Sequence, residues 1–151
     1  LRVVLIGIAL ASAFRMVSTE VQNVHEARTH ERPNVLIVED ERVSRRALAA
    51  LMSALGYETE AAASAEEALD AVESGAHPDI ALVDLDLPGM NGLDFIGRLT
   101  QMDPAVFPVL ITAANGDRLT SLLANRGVAY LQKPLDVNRL LSLLGEQMSP
   151  N

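Results

Sequence analysis

Four short stretches hold the residues able to do chemistry: Glu39-Asp40, Asp84-Leu85-Asp86, Thr112 and Lys133. Asp84 ends the apolar run Ile80 to Val83, and a turn region containing Pro88-Gly89 and Asn91-Gly92 follows it. Lys133 is the only lysine, all eleven other basic residues being Arg. Brought together, the carboxylates would repel by about 4 kcal/mol per pair, taking about 4 Å and an effective dielectric near ~20. One of them must then take up a proton or find a cation. A single ammonium group offsets one of three charges and leaves roughly two, which is what a divalent ion supplies. Oxygen ligands with no His or Cys beside them select Mg²⁺, or Mn²⁺, rather than zinc. Such an ion keeps positions open for water or phosphate oxygens. Asp84 is then the nucleophile toward phosphorus, giving an acyl phosphate. The metal, Lys133 and the Thr112 hydroxyl would share the charge on the transferred oxygens.

Whether these groups meet depends on the elements that carry them. From Asn34 onward the chain alternates apolar strands with helical periodicity. Val35 to Val38 reads as a buried strand closed by Glu39-Asp40-Glu41, and Val43, Ala47, Ala50, Leu51, Ala54 and Leu55 recur at helical spacing until Gly56. Tyr57 to Ala61 fits a short edge strand. Ser64 with Glu67 is a capping-box pattern opening a helix whose apolar face is Ala65, Ala68, Leu69 and Val72. Asp79 to Asp84 is the central strand, followed by a helix lined by Leu93, Phe95, Ile96 and Leu99. Pro108 to Thr112 and Val128 to Gln132 are two further strands. Asp117 opens the helix between them, carrying Leu119, Leu122 and Leu123, and Asp136 opens the last helix, with Val137, Leu140, Leu141, Leu144 and Met148 on one face. Five strand-then-helix units predict an α/β fold, a doubly wound five-stranded parallel sheet with helices on both faces and strand order 2-1-3-4-5. In that order strands one, three, four and five deliver all the reactive groups to one carboxyl edge, where open α/β sheets bind ligands.

Composition narrows the function further. The 151 residues have room for one domain, residues 34–149, plus an N-terminal extension over 1–33 that reads as helical. A net charge of -8 and 3% aromatic content exclude direct nucleic-acid binding, because neither counterion replacement nor base stacking has residues to work with. The absence of Cys removes thiol chemistry and suits a cytoplasmic address. Val3 to Phe14 is uncharged and mostly apolar, shorter than the roughly 20 residues of a membrane helix, so any membrane contact is confined to residues 1–14. Arg2, that run and Ala11-Ser12-Ala13 also imitate a signal peptide, although the rest of the chain reads as cytoplasmic. His25 and His30 are five apart, one too many to share the helix face of a zinc-protease pair.

Taken in order, Val35-Leu36-Ile37-Val38-Glu39-Asp40-Glu41, Asp84 through Pro88-Gly89-Met90-Asn91-Gly92, Ile111-Thr112-Ala113 and Gln132-Lys133-Pro134 resemble the receiver domain of two-component response regulators. The resemblance runs from about Asn34 to Met148. It implies phosphorylation of Asp84 by a histidine kinase or histidine phosphotransfer protein. Mg²⁺ would be held by Asp40, Asp84 and the main-chain carbonyl of Asp86, with Glu39 acting mostly through water. It further implies a switch in which Thr112 turns toward the phosphoryl group and Tyr130 changes rotamer, and a cis peptide at Lys133-Pro134. His25-Glu26-Ala27-Arg28-Thr29 is similar to the phosphorylated-histidine box of sensor kinases, but His30 stands where that box has proline. Two departures from the receiver pattern concern an Asp at position 86, which bears on acyl-phosphate lifetime, and a Thr112-to-Lys133 path about one residue short, with Gly127 displaced toward the last strand. No DNA-binding or catalytic output domain is expected within these 151 residues. The signal is therefore expected to leave through the face of the fourth helix, fifth strand and fifth helix, toward a downstream protein or a second copy. Leu143 beside Leu144 broadens that helix on its apolar side.

Two other functions share some of these residues. Asp84 and Asp86 resemble the Asp-x-Asp motif of haloacid-dehalogenase-like phosphatases, whose acidic pair, however, lies downstream, whereas Glu39-Asp40 lies upstream. A receiver-like module that only binds a partner, without phosphorylation, would have no need of the complete set of reactive groups present.

Overall fold

The computed structural model describes residues 32–113 and 117–148. In chain order the elements are β1 (Asn34–Val38), α1 (Arg42–Ala54), β2 (Glu58–Ala62), α2 (Ala65–Glu73), β3 (Ile80–Asp84), α3 (Gly92–Met102), β4 (Phe107–Thr112), α4 (Asp117–Arg126), β5 (Ala129–Gln132) and α5 (Val137–Met148). All strand pairs are parallel and the order is β2-β1-β3-β4-β5, as the sequence pattern predicts. The extension expected over 1–33 lies outside the described residues except for Arg32 and Pro33, and with it lie the apolar run, His25 and His30. The side chains of Asp117 and Met148 are outside them too.

Alternation along each strand divides the core in two. Val35 and Ile37 of β1, Ile80 and Leu82 of β3, and Val109 and Ile111 of β4 pack with Leu48 and Met52 of α1 and Leu140 and Leu144 of α5. Their neighbours Leu36, Val38, Ala81, Val83 and Leu110 face the other way, against Ala68, Leu69 and Val72 of α2, Phe95, Ile96 and Leu99 of α3, and Leu123 of α4. Each Val, Leu, Ile, Met or Phe side chain among these, fully buried, contributes about 1.5–3 kcal/mol, so the central strands anchor the sheet edge that carries the site.

Two helix faces differ from their sequence reading. In α1 the residues turned to the sheet are Leu48 and Met52, with Leu51 half-buried beside them as expected, while Ala47, Ala50 and Ala54 are exposed and Val43 is 73% exposed. Alanine is frequent on helices for its propensity as well as for burial, so a stripe built largely from Ala points weakly to the core. Large side chains at i and i+4 decide which face is buried. In α5, Leu140 and Leu144 are buried, but Val137 and Leu141 are 38% and 39% exposed. These two lie four apart along a row displaced by three residues, which runs along the rim of the contact. Leu143 packs against the α1 and α5 side of the core and is not part of an exposed stripe.

Side-chain caps set where the helices start. Glu41 accepts hydrogen bonds from the N–H groups of Val43 (3.0 Å) and Ser44 (2.6 Å), and these contacts hold its carboxyl below the usual carboxylate range. Ser64 caps α2 and Asp136 caps α5 through the N–H groups of Asn138 and Arg139. Gly127, at φ 65°, ends α4 in the left-handed conformation, which explains its place just ahead of β5.

Candidate functional site

β1 and β3 are paired through Val38 and Val83, so the next residues, Glu39 just past β1 and Asp84 closing β3, come side by side. Both are almost wholly buried, at 4% and 5% exposure, while Asp40 points to solvent. One carboxylate oxygen from each of Glu39, Asp40 and Asp84 lies within 4.8 Å of the others. Lys133 reaches the cluster from the end of β5, the outer strand beyond β4. Its Nζ donates to Asp84 Oδ2 at 2.8 Å and to Glu39 Oε2 at 3.1 Å. The backbone carries it there, for Leu85 N–H donates to the Ile111 carbonyl and Lys133 N–H to the Thr112 carbonyl, both at 2.8 Å, extending the ladder past the strand ends. The Lys133-Pro134 peptide is cis, as the sequence resemblance implies.

The electrostatics follow from this packing. Burial, and next the neighbouring Asp84 charge, raise the Glu39 carboxyl above its ordinary value, and the hydrogen bonds from Lys133 and the Glu41 N–H only partly offset that. Burial by itself would lower the Lys133 ammonium, but the hydrogen bonds to Asp84 and Glu39 outweigh it and the net shift is upward. Three carboxylates share one ammonium group, and the donor set is all oxygen. That set fits a hard divalent cation such as Mg²⁺. The remaining Asp84 oxygen, Oδ1, accepts from the Asp86 N–H at 3.1 Å. Asp86 is exposed and its carboxylate is not one of the three clustered groups; the contact it makes with Asp84 is through its main-chain N–H.

Thr112 ends β4 and is 1% exposed. Tyr130 pairs in register with Leu110, so it shares the α2, α3 and α4 face with Leu110 and packs half-buried against that part of the core. All five reactive groups named from the sequence at strand ends, Glu39, Asp40, Asp84, Thr112 and Lys133, thus come to one edge. Three contributors went unread. Arg45, half-buried one turn into α1, donates from Nη1 to the main-chain carbonyls of Glu39 (2.8 Å) and Asp40 (3.0 Å). A Cβ at Gly92 would collide with the Asp84 carbonyl oxygen, so only glycine lets α3 start this close to the central strand. Glu66 of α2 accepts from the Met90 N–H at 3.1 Å and steadies the loop after Asp84. The Gly after Asn91 hinted at the second of these; an arginine or glutamate on a helix gives no such hint.

Comparison with known proteins bears on the same edge. The response regulator receiver domain family model matches residues 35–145. The two-component response regulator PhoP of Pseudomonas aeruginosa is 39% identical over 109 residues, covering 70% of this chain and 47% of its own. The chain spans about half or less of the length of the curated relatives it matches first. A CheY-like receiver domain protein from Methanospirillum hungatei superposes with a TM-score of 0.70 at 27% identity, covering 77% of this chain and 93% of that one. The response regulator TrrA of Thermotoga maritima, solved in complex with Mg²⁺ and BeF, gives 0.68 at 26% identity, covering 77% and 99%. No helix among the described residues is long and apolar enough to cross a membrane. Sheet order, acidic cluster and family model coincide, and the chain belongs to the response regulator receiver domain family, whose members are signalling phosphoacceptors.

Proposed function

We propose that Asp84 is the phosphoacceptor, taking its phosphoryl group from a histidine kinase or histidine phosphotransfer protein. The observation that carries this is the Lys133 ammonium held between Asp84 and Glu39 at 2.8 and 3.1 Å, with Asp40 within reach. An Asp84 carboxylate oxygen attacks phosphorus, a P–O bond forms, and the donor leaves with the electron pair of its own bond to phosphorus. Lys133 orients the carboxylate; burial works against its charge, but the hydrogen bonds to the two acids outweigh it and favour the ammonium form. The buried Thr112 hydroxyl at the neighbouring strand end stabilises a transferred oxygen. Glu39, Asp40, Asp84 and the Asp86 main-chain carbonyl would hold Mg²⁺, or Mn²⁺. When bound, the ion neutralises charge on the phosphoryl oxygens.

The signal then leaves through α4, β5 and α5, where Leu122, Val137 and Leu141 are exposed apolar side chains. Thr112 and Tyr130 couple the site to that face, and the occupant is a downstream protein or a second copy of the chain. The domain spans 34–149, residues 1–33 form an extension, and the setting is cytoplasmic. The test is covalent. Incubation with Mg²⁺ and acetyl phosphate adds one phosphate to the wild type, detected by mass, and Asp84→Asn abolishes it. Equal labelling of the Asn variant would remove Asp84 from the role.

A further inference from the structure

The β1–α1 turn carries two of the three clustered acids, and something must hold it while they repel. A guanidinium at the fourth position of α1 is unexpected there, because the amino end of a helix is its positive pole and a cation is unfavourable beside it. Helical side chains point back toward the N-terminus, which brings the Arg45 head over the turn. There Nη1 spans the carbonyls of Glu39 and Asp40 at 2.8 and 3.0 Å. Nη1 donates to these main-chain oxygens and not to the Glu39 or Asp40 carboxylates, so both acids keep their side-chain oxygens for other partners. A hydrogen bond to a charged donor is the stronger kind, and two of them from one nitrogen fix the backbone of consecutive residues.

We infer that Arg45 is a positioning residue for divalent-cation binding: by pinning the carbonyls of Glu39 and Asp40 it holds both side chains in the cluster before any ion arrives. This rests on the reading that the cluster binds Mg²⁺. Groups that orient metal ligands without touching the metal are worth about 10–100-fold in affinity. The sign of the effect separates positioning from charge. If Arg45 mattered only as a positive charge near an acidic site, removing it would tighten Mg²⁺ binding; as a clamp, its loss weakens binding.

The experiment titrates Mg²⁺ calorimetrically into wild type, Arg45→Met and Arg45→Lys, with Tm measured for each in EDTA. Arg45→Met should bind about tenfold more weakly, with a Tm close to wild type, and Arg45→Lys should recover part of the loss. Phosphorylation of Arg45→Met by acetyl phosphate should be slow at low Mg²⁺ and return to the wild-type rate at saturating Mg²⁺. Unchanged or tighter Mg²⁺ binding in Arg45→Met overturns the inference. If Arg45→Met fails to fold, Arg45→Lys decides by the same criterion. A wild type that binds Mg²⁺ but takes no phosphate overturns the phosphoacceptor assignment and leaves the Arg45 comparison intact, whereas one that binds no Mg²⁺ sinks both.

Discussion

The two edges of the sheet both bury carboxylates, and they do so under different rules. At the amino edge Asp103 is 7% exposed, its Oδ1 accepts from the Ala105 N–H at 3.1 Å, and its Oδ2 lies 3.8 Å from His77 Nδ1. Asp79, half-buried just before β3, accepts from the Asn34 N–H at 2.8 Å. Asp103 bonds the main chain two residues on and Asp79 the main chain at the start of β1, and neither belongs to a three-acid cluster among the described residues. At the carboxyl edge Glu39, Asp40 and Asp84 crowd together around one ammonium group. The lesson is that a buried acid by itself says little. Uncompensated charge, kept in place against its own repulsion, marks the place where chemistry happens.

This contrast can be broken most directly at Lys133. Lys133→Met removes the cation from a cluster that has no other ammonium, and should slow phosphate uptake from acetyl phosphate by about 10²–10³-fold, the usual cost of losing one charge-stabilising donor. A loss under threefold would mean that the shared lysine is incidental. The second effect is a pH dependence. Because burial and Asp84 raise the Glu39 carboxyl, the folded protein keeps that proton to higher pH than the unfolded chain does. The associated stability is present in full below the ordinary value of 4.5 and is lost as pH rises through the raised one. In EDTA the stability of Glu39→Gln relative to wild type should therefore climb over that window, read from urea unfolding at several pH values; a flat difference would contradict it. The smallest effect sharpens the comparison from the other side. Asp103→Asn should leave phosphate uptake within about twofold and cost about 1 kcal/mol of stability, as expected for a local hydrogen bond. A large loss of phosphorylation would show that the amino edge takes part after all.

The architecture was legible because it rests on local signals. Alternating apolar strands, the capping residues Ser64 and Asp136, and the aspartate closing Ile80–Val83 each act within a few residues. Right-handed crossovers then leave few ways to arrange five such units. Strand limits moved by a residue, as in β2, which runs Glu58–Ala62 where Tyr57–Ala61 was expected. Edge strands lack a partner on one side, and their ends depend on the neighbour they pair with. The buried face of α1 is rotated from the apolar stripe, which shares Leu51 with it: Ala47, Ala50 and Ala54 are exposed, while Leu48 and Met52 hold the main contact.

By itself the sequence determined which groups could react and that they would meet, since residue type sets the chemistry and strand order sets the edge. Only the tertiary structure decided how the charge is shared: Lys133 crosses 49 positions of sequence to reach Asp84 and 94 to reach Glu39. It also decided that Arg45 would grip main-chain carbonyls and that Gly92 would touch the Asp84 backbone. Contacts of that kind are made to backbone atoms, which every residue possesses, so no pattern of side-chain letters announces them.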